Sequence, residues 1–127
     1  EAIRAGGAGL GGFYTRTGVG TELAKGKEVR EINGAQFVLE APIRGDIALI
    51  KAQSADRWGN LTYRAAARNF NPVMAMAADR TVVQVTEETE IGEMDPEIIV
   101  TPGIFVHAVV LIPEPVSEAR QLMAVQQ

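Results

Sequence analysis

Seven glycines fall within the seventeen positions from Ala5 to Thr21: Gly6, Gly7, Gly9, Gly11, Gly12, Gly18 and Gly20. Glycine gives up more backbone freedom on folding than any other residue. Such density therefore predicts sharp turns and close backbone approaches rather than a stable helix. Within this stretch, Gly11 to Thr21 carries two rings, Phe13 and Tyr14, hydroxyls at Thr15, Thr17 and Thr21, and one cation, Arg16. Backbone N–H groups, hydroxyls and a guanidinium beside apolar rings have the chemistry to hold a carboxylate or a thioester carbonyl. The plainer reading is a structural loop whose rings fill the core, and residue chemistry taken alone favours it.

The rest of the chain alternates short strand patterns with turns. Val29-Arg30-Glu31-Ile32 and Gln36-Phe37-Val38-Leu39 flank Asn33-Gly34, a pair that accepts the two positive φ values of a type I′ hairpin turn. The nearly continuous apolar run from Asp46 to Ala52 predicts a strand covered on both faces. After Asp56-Arg57-Trp58-Gly59-Asn60, the segment Leu61-Thr62-Tyr63 reads as a short returning strand. Asn71-Pro72 predicts a helix start, with Asn71 as cap and Val73 to Ala78 as body. Thr81 to Val85 and Phe105 to Ile112 are further strand candidates, separated by breaks at Asp95-Pro96-Glu97 and Thr101-Pro102-Gly103. Past Pro113 and Pro115, Val116 to Val125 is compatible with a short helix. This order of elements predicts an α/β or α+β domain with functional loops, not a bundle or a sandwich.

Bulk properties narrow the function classes. The chain has 127 residues, 46% hydrophobic and 22% charged, which suits one globular domain. A net charge of −4 argues against nucleic acid as partner. Cysteine is absent, which removes disulfides, zinc–thiolate sites and thiol catalysis within these residues. No apolar run is long enough to span a bilayer, and no secretory signal is visible, so the expected compartment is the cytoplasm.

Individual motifs carry little alone. Gly7-Ala8-Gly9-Leu10-Gly11-Gly12 fits G-x-G-x-x-G, but neither a strand before it nor a helix after it is predicted. Gly26-Lys27 fails as a P-loop because Glu28 stands where Ser or Thr is required. His107, the only histidine, has no second ligand in view and is expected to be structural rather than metal-binding. Arg64, Arg68, Asn69 and Asn71 precede the expected helix, where an anion would be favoured; their ordinary role is a solvated surface with a cap. Asp56 and Arg57 are expected to pair locally, Trp58 to anchor the core, and Glu87-Glu88-Thr89-Glu90 to form a solvated face.

Taken in order, the segments resemble a family. Gly6 through Thr21 is similar to the glycine-rich loop of class I CoA-transferase A subunits, and Gly26-Lys27-Glu28-Val29-Arg30-Glu31-Ile32-Asn33-Gly34 to the hairpin that follows it. Asp46 to Ala52, Ala55 to Leu61, Ala67-Arg68-Asn69-Phe70-Asn71-Pro72, Gly92-Glu93-Met94-Asp95-Pro96 and Thr101 to Val106 continue in the family's order. The resemblance implies an α/β fold of the 3-oxoacid CoA-transferase type: a mainly buried sheet, a β-hairpin and flanking helices. It implies transfer of coenzyme A from an acyl-CoA such as succinyl-CoA to a short 3-oxo or carboxylic acid, with coenzyme A as substrate and no cofactor or metal. The reaction would pass through a glutamyl-CoA thioester on a partner B subunit, because the family's Glu-Asn-Gly motif is missing here. Residues 1–127 would then be the C-terminal portion of one A-subunit domain, 1–21 its glycine-rich loop region and 113–127 a loosely ordered tail. They would lack the portion bearing Gly-Gly-Phe-Gly and be inactive alone. The substrate-contact candidates are Phe13, Tyr14 and Thr15, then Arg68 and Asn69. Alternatives within the fold are an A subunit for 3-oxoadipate, acetate or butyrate, a non-catalytic assembly module, and a related sugar-phosphate isomerase.

Overall fold

A computed structural model of the chain describes residues 1–115. The expected helix over Val116 to Val125, and the loose tail beyond Pro115, lie outside these residues. The chain opens with α1 (Ala2–Gly7), which runs through Ile3 and Arg4 and takes Gly6 and Gly7 into its last turn. The reason is packing rather than propensity. A Cβ on Gly6 would stand 2.0 Å from the carbonyl oxygen of Ile43, and one on Gly7 would stand 2.7 Å from Met76 Cβ. Two glycines that weaken a helix by about 1 kcal/mol each are the ones that let it sit against its neighbours.

The glycine-rich stretch then yields β1 (Phe13–Thr15), which pairs antiparallel with β3 (Ala35–Glu40). On the other side of β3 lies β2 (Val29–Ile32), joined to it by the Asn33-Gly34 turn. Asn33 has φ 51° and Gly34 φ 75°, the double left-handed conformation the dipeptide predicted. This first sheet has the order β1-β3-β2.

A second sheet, of order β4-β7-β9, is wholly parallel: β4 (Gly45–Lys51), β7 (Ala78–Val85) and β9 (Ala108–Leu111). The crossover from β4 to β7 contains α2 (Ala67–Ala77). A small third sheet pairs β5 (Ser54–Asp56) antiparallel with β6 (Leu61–Thr62) and parallel with β8 (Glu87–Thr89). The core joins Ala48, Ile50, Val83 and Val85 of the parallel sheet to Ala75 of α2 and to Ala55, Leu61 and Tyr63. No helix among the described residues is long and apolar enough to cross a membrane.

Four expectations need correction. First, α2 starts at Ala67, not at Asn71-Pro72. Pro72 lies inside it, and Asn71 turns its side chain to two tasks: Nδ2 donates to Ala67 O and Oδ1 accepts from Lys51 N. Second, β4 is not covered on both faces among the described residues. Its burial alternates, with Ala48 and Ile50 inside and Ile47 and Leu49 in solvent. Third, the last strand is shorter than Phe105 to Ile112, because Gly103–Phe105 forms a 3-10 turn. Fourth, Trp58 is no core anchor: it is 69% exposed, at the tip of a turn.

Candidate functional site

Strand alternation divides the leading candidates. On β1, Tyr14 points to one face of the first sheet, while Phe13 and Thr15 point to the other. All three are half-buried. Tyr14 stands opposite Leu39, whose N–H is bonded to Glu28 O, so Glu28 comes to the same face as Tyr14. The Tyr14 hydroxyl donates to Glu28 Oε1 at 2.5 Å, and Arg30 donates to the same oxygen at 2.7 Å. The Arg30 guanidinium also lies over the Tyr14 ring, 4.9 Å from its centroid. On the opposite face Lys27 pairs with Glu40, the register partner of Phe13.

These contacts fix what each group can do. The Tyr14 hydrogen bond holds the Glu28 carboxyl below the ordinary carboxylate range, against desolvation and with the help of the Arg30 charge. The same hydrogen bond pushes the Tyr14 phenol up, so it stays protonated at neutral pH. Its proton is already committed to Glu28 and is not offered to a ligand. Thr15 Oγ1 accepts from Thr17 N, which leaves its own hydroxyl hydrogen available to a carboxylate. Sequence patterns did not single out Glu28 and Arg30; the hairpin register, which puts them on one face, was the signal that would have found them.

The pH response of this cluster follows from both shifts. Its contact is present in full above the ordinary carboxyl value of 4.5, and is lost as pH falls through the lower folded value of Glu28. At the alkaline end it holds up to 10.0 and is lost as pH rises through the raised value of Tyr14. The Tyr14 ring resonances are expected to titrate in acid with a midpoint below 4.5. A midpoint at or above that value, or an acid step that survives Glu28→Gln, would show the contact absent in solution.

Arg68 and Asn69 occupy the first turn of α2, both exposed, and their N–H groups bond to Ala65 O and Ala66 O. This end of α2 lies beside Lys51, at the carboxyl end of β4, through the Asn71 bond. Ligands of open parallel sheets settle in the crevice beyond those strand ends. Among the described residues neither Arg64 nor Arg68 is in an ion pair, so both keep their charge for an anion. No hydrogen bond or ion pair among the described residues joins this group to Phe13, Tyr14 or Thr15, which sit in a different sheet.

The turn into α2 is strained. Ala65 has φ 49°, a left-handed conformation that costs an L-residue about 1–2 kcal/mol. Ala65→Gly is expected to raise stability by about 1 kcal/mol in urea denaturation. An unchanged or lower midpoint would mean that the turn relaxes in solution.

A separate cleft is lined by Asp56, Arg57, Trp58, Glu88 and His107. Asp56 and Arg57 do not pair with each other. Asp56 is buried, and its Oδ1 accepts from Trp58 N and Asn60 N while Oδ2 accepts from Asn60 Nδ2. Arg57 reaches Glu90 instead. His107 lies just before β9, exposed; its Nδ1 accepts from Thr81 N, which places the ring proton on Nε2. No group of acidic or histidine side chains suited to a metal ion occurs among the described residues.

The family model described as coenzyme A transferase matches residues 1–111. The chain belongs to the coenzyme A transferase family. It is 60% identical over 112 residues to the A subunit of 3-oxoadipate CoA-transferase from Pseudomonas putida, covering 88% of this chain and 48% of that protein. It is 55% identical over 106 residues to the A subunit of succinyl-CoA:3-ketoacid coenzyme A transferase from Helicobacter pylori strain J99, covering 84% of this chain and 46% of that one. The chain thus spans about half the length of these curated relatives. In three dimensions it matches an acyl-CoA transferase from Escherichia coli O157:H7, solved as a thioester complex with CoA. The TM-score is 0.78, at 22% identity, over 91% of this chain and 26% of that one. That likeness bears on the fold alone, and it agrees with the α/β class of this CoA-transferase chain.

Proposed function

We propose that these residues are part of the A subunit of a CoA-transferase that moves coenzyme A from an acyl-CoA such as succinyl-CoA to a short 3-oxo acid. The observation that carries this reading is the 60% and 55% identity to A subunits named for 3-oxoadipate and 3-ketoacid transfer. Coenzyme A is a substrate here, and no other cofactor is called for. A glutamate carboxylate of a partner B subunit attacks the acyl-CoA carbonyl and expels CoA thiolate. The thiolate then attacks the glutamyl carbonyl of the mixed anhydride and releases the donor acid. The glutamyl-CoA thioester passes CoA to the acceptor acid by the same two steps in reverse, which frees the glutamate. The reaction takes place in the cytoplasm, in a complex of the two subunits.

The division of labour fits the residues present. Glu28 is held by Tyr14 and Arg30, a poor state for a nucleophile. Phe13 and Thr15 share one face of β1 and offer a ring and a hydroxyl donor to the acid. Tyr14 shapes the loop from the other face. Arg68, with Asn69, supplies positive charge and polar groups near the strand ends.

The complete A subunit, mixed with its B partner and acyl-CoA, is expected to give a trapped thioester on a glutamate of the B partner. Label on a glutamate of residues 1–127 would overturn the assignment. In a panel of acetoacetate, 3-oxoadipate, acetate and butyrate, the two 3-oxo acids are expected to show the higher kcat/KM. Phe13→Ala is expected to change the ratio between 3-oxo acids and simple acids by roughly tenfold, the scale of one lost apolar contact in a specificity pocket. An unchanged ratio would leave the loop a structural one.

A further inference from the structure

The cleft lined by Trp58, Glu88 and His107 takes no part in the proposed reaction. It has a volume of about 420 Å³, within the range of small-ligand sites. Each of these side chains stands on a fixed support. His107 is held twice by the buried Thr81: its N–H donates to Thr81 O at 2.9 Å, and its Nδ1 accepts from Thr81 N at 3.1 Å. The second bond fixes the tautomer, so Nε2–H is the donor this ring has left. Glu88 lies in β8, where pairing with Ala55 of β5 fixes its backbone. Its carboxylate is exposed and in no hydrogen bond or ion pair among the described residues. Trp58 is pinned at its backbone N–H by Asp56, while the residue is 69% exposed. The other charged groups of the cleft are committed, Asp56 to the donors of its own turn and Arg57 to Glu90.

These groups set what a ligand must offer. A phosphate or carboxylate carries only acceptors and would face the Glu88 charge. An ammonium or guanidinium carries only donors and would face His107 Nε2–H. The complement of one N–H and one carboxylate is a group with an acceptor next to a donor. The indole, with Val106 and Val109 beside it, asks in addition for a flat and largely apolar body. A heteroaromatic ring whose nitrogen accepts beside an exocyclic amine meets all of these conditions. Adenine, with N7 next to its amino group, is such a ring.

We propose that this cleft is a binding site for an adenine-type ring. The ring stacks on Trp58, one of its nitrogens accepts from His107 Nε2–H, and its amine donates to Glu88. The site is independent of the proposed reaction: it needs only these side chains, and not a particular acceptor acid. Two sources carry such a ring, the nucleotide end of CoA and a free adenine nucleoside or nucleotide.

Calorimetric titration of the complete A subunit with its partner tests the site without turnover. Adenosine is expected to bind, and purine riboside, which lacks only the amine, to bind at least about tenfold more weakly. In Glu88→Ala the two are expected to agree within about twofold, since the partner of the amine is gone. Trp58→Ala is expected to weaken adenosine by about tenfold, the scale of one stacked base. Both residues are exposed, so neither change removes a core contact. CoA and pantetheine, titrated in the same way, tell the source. A Trp58→Ala loss for CoA but not for pantetheine places the adenine of CoA in the cleft. No loss for CoA, with the adenosine loss kept, assigns the site to a free adenine nucleoside or nucleotide. Equal affinity of adenosine and purine riboside for the unaltered protein would overturn the proposal. So would an adenosine affinity that neither substitution changes, or no adenosine binding up to about 1 mM, the result a cleft closed by the partner subunit would give. Because turnover is not read, a wrong reaction leaves each of these outcomes in place.

Discussion

Gly103→Ala is expected to destabilise the chain by upwards of about 3 kcal/mol, more than an ordinary overpacked site. A Cβ at this position would stand 2.0 Å from the carbonyl oxygen of Trp58 and 2.8 Å from its carbonyl carbon. Both are backbone atoms, so no side chain can rotate away. The two turns cannot part without further loss, because Gly103 N donates to Asn60 Oδ1 at 2.8 Å and Leu61 bridges to Thr101. Gly11→Ala serves as control, since nothing lies within 4 Å of its added Cβ. Urea denaturation of both variants checks the expectation, and near-equal midpoints would refute it.

Asp56→Ala comes next in size, at about 3 kcal/mol, with a fall in Tm on the order of 10 °C. One carboxylate satisfies two backbone N–H groups and the Asn60 amide, each at 2.7 to 2.9 Å, and the residue is 7% exposed. Truncation orphans those donors and frees Asn60, whose other end holds Gly103. Asp56→Asn keeps an oxygen for the two backbone donors but sets an amide against the Asn60 amide, so an intermediate loss is expected. Equal losses for the alanine and asparagine variants would show that charge, not acceptor geometry, holds the turn.

These two sites also show where sequence patterns stop being informative. Asn33-Gly34 was legible because its constraint is local: two adjacent residues must take positive φ. Strand order along the chain was legible for the same reason. The extent of α2 was not, because Pro72 and Asn71 spoke for a start while the tertiary bond from Asn71 to Lys51 supported four residues more before them. The bare face of β4 was hidden as well. A run such as Ile47-Ala48-Leu49-Ile50 reads as buried on both sides whether or not its second cover is present. At the candidate site, Phe13, Tyr14 and Thr15 stood out by type and setting, but their split across two sheet faces needed the register. Trp58 reads as a core residue by size, and nothing in its neighbours' sequence tells that it stands exposed in the turn between β5 and β6.

The third sheet bears on how quickly this chain reaches its fold. Its parallel pairing of Ser54 with Glu87, and the Gln53–Thr86 contact at a separation of 33 residues, close only after α2 and β7 are in place. The β2–β3 hairpin closes over two residues and belongs to the microsecond class of events. Loop-closure entropy therefore orders the assembly: the local Asp56–Asn60 turn closes early, and the pairing of β5 with β8 is among the last parts to form. By the same ordering that pairing is among the first to open, and the peptide bonds of β8, whose Glu87 and Glu88 are exposed, are where proteolytic nicking should begin.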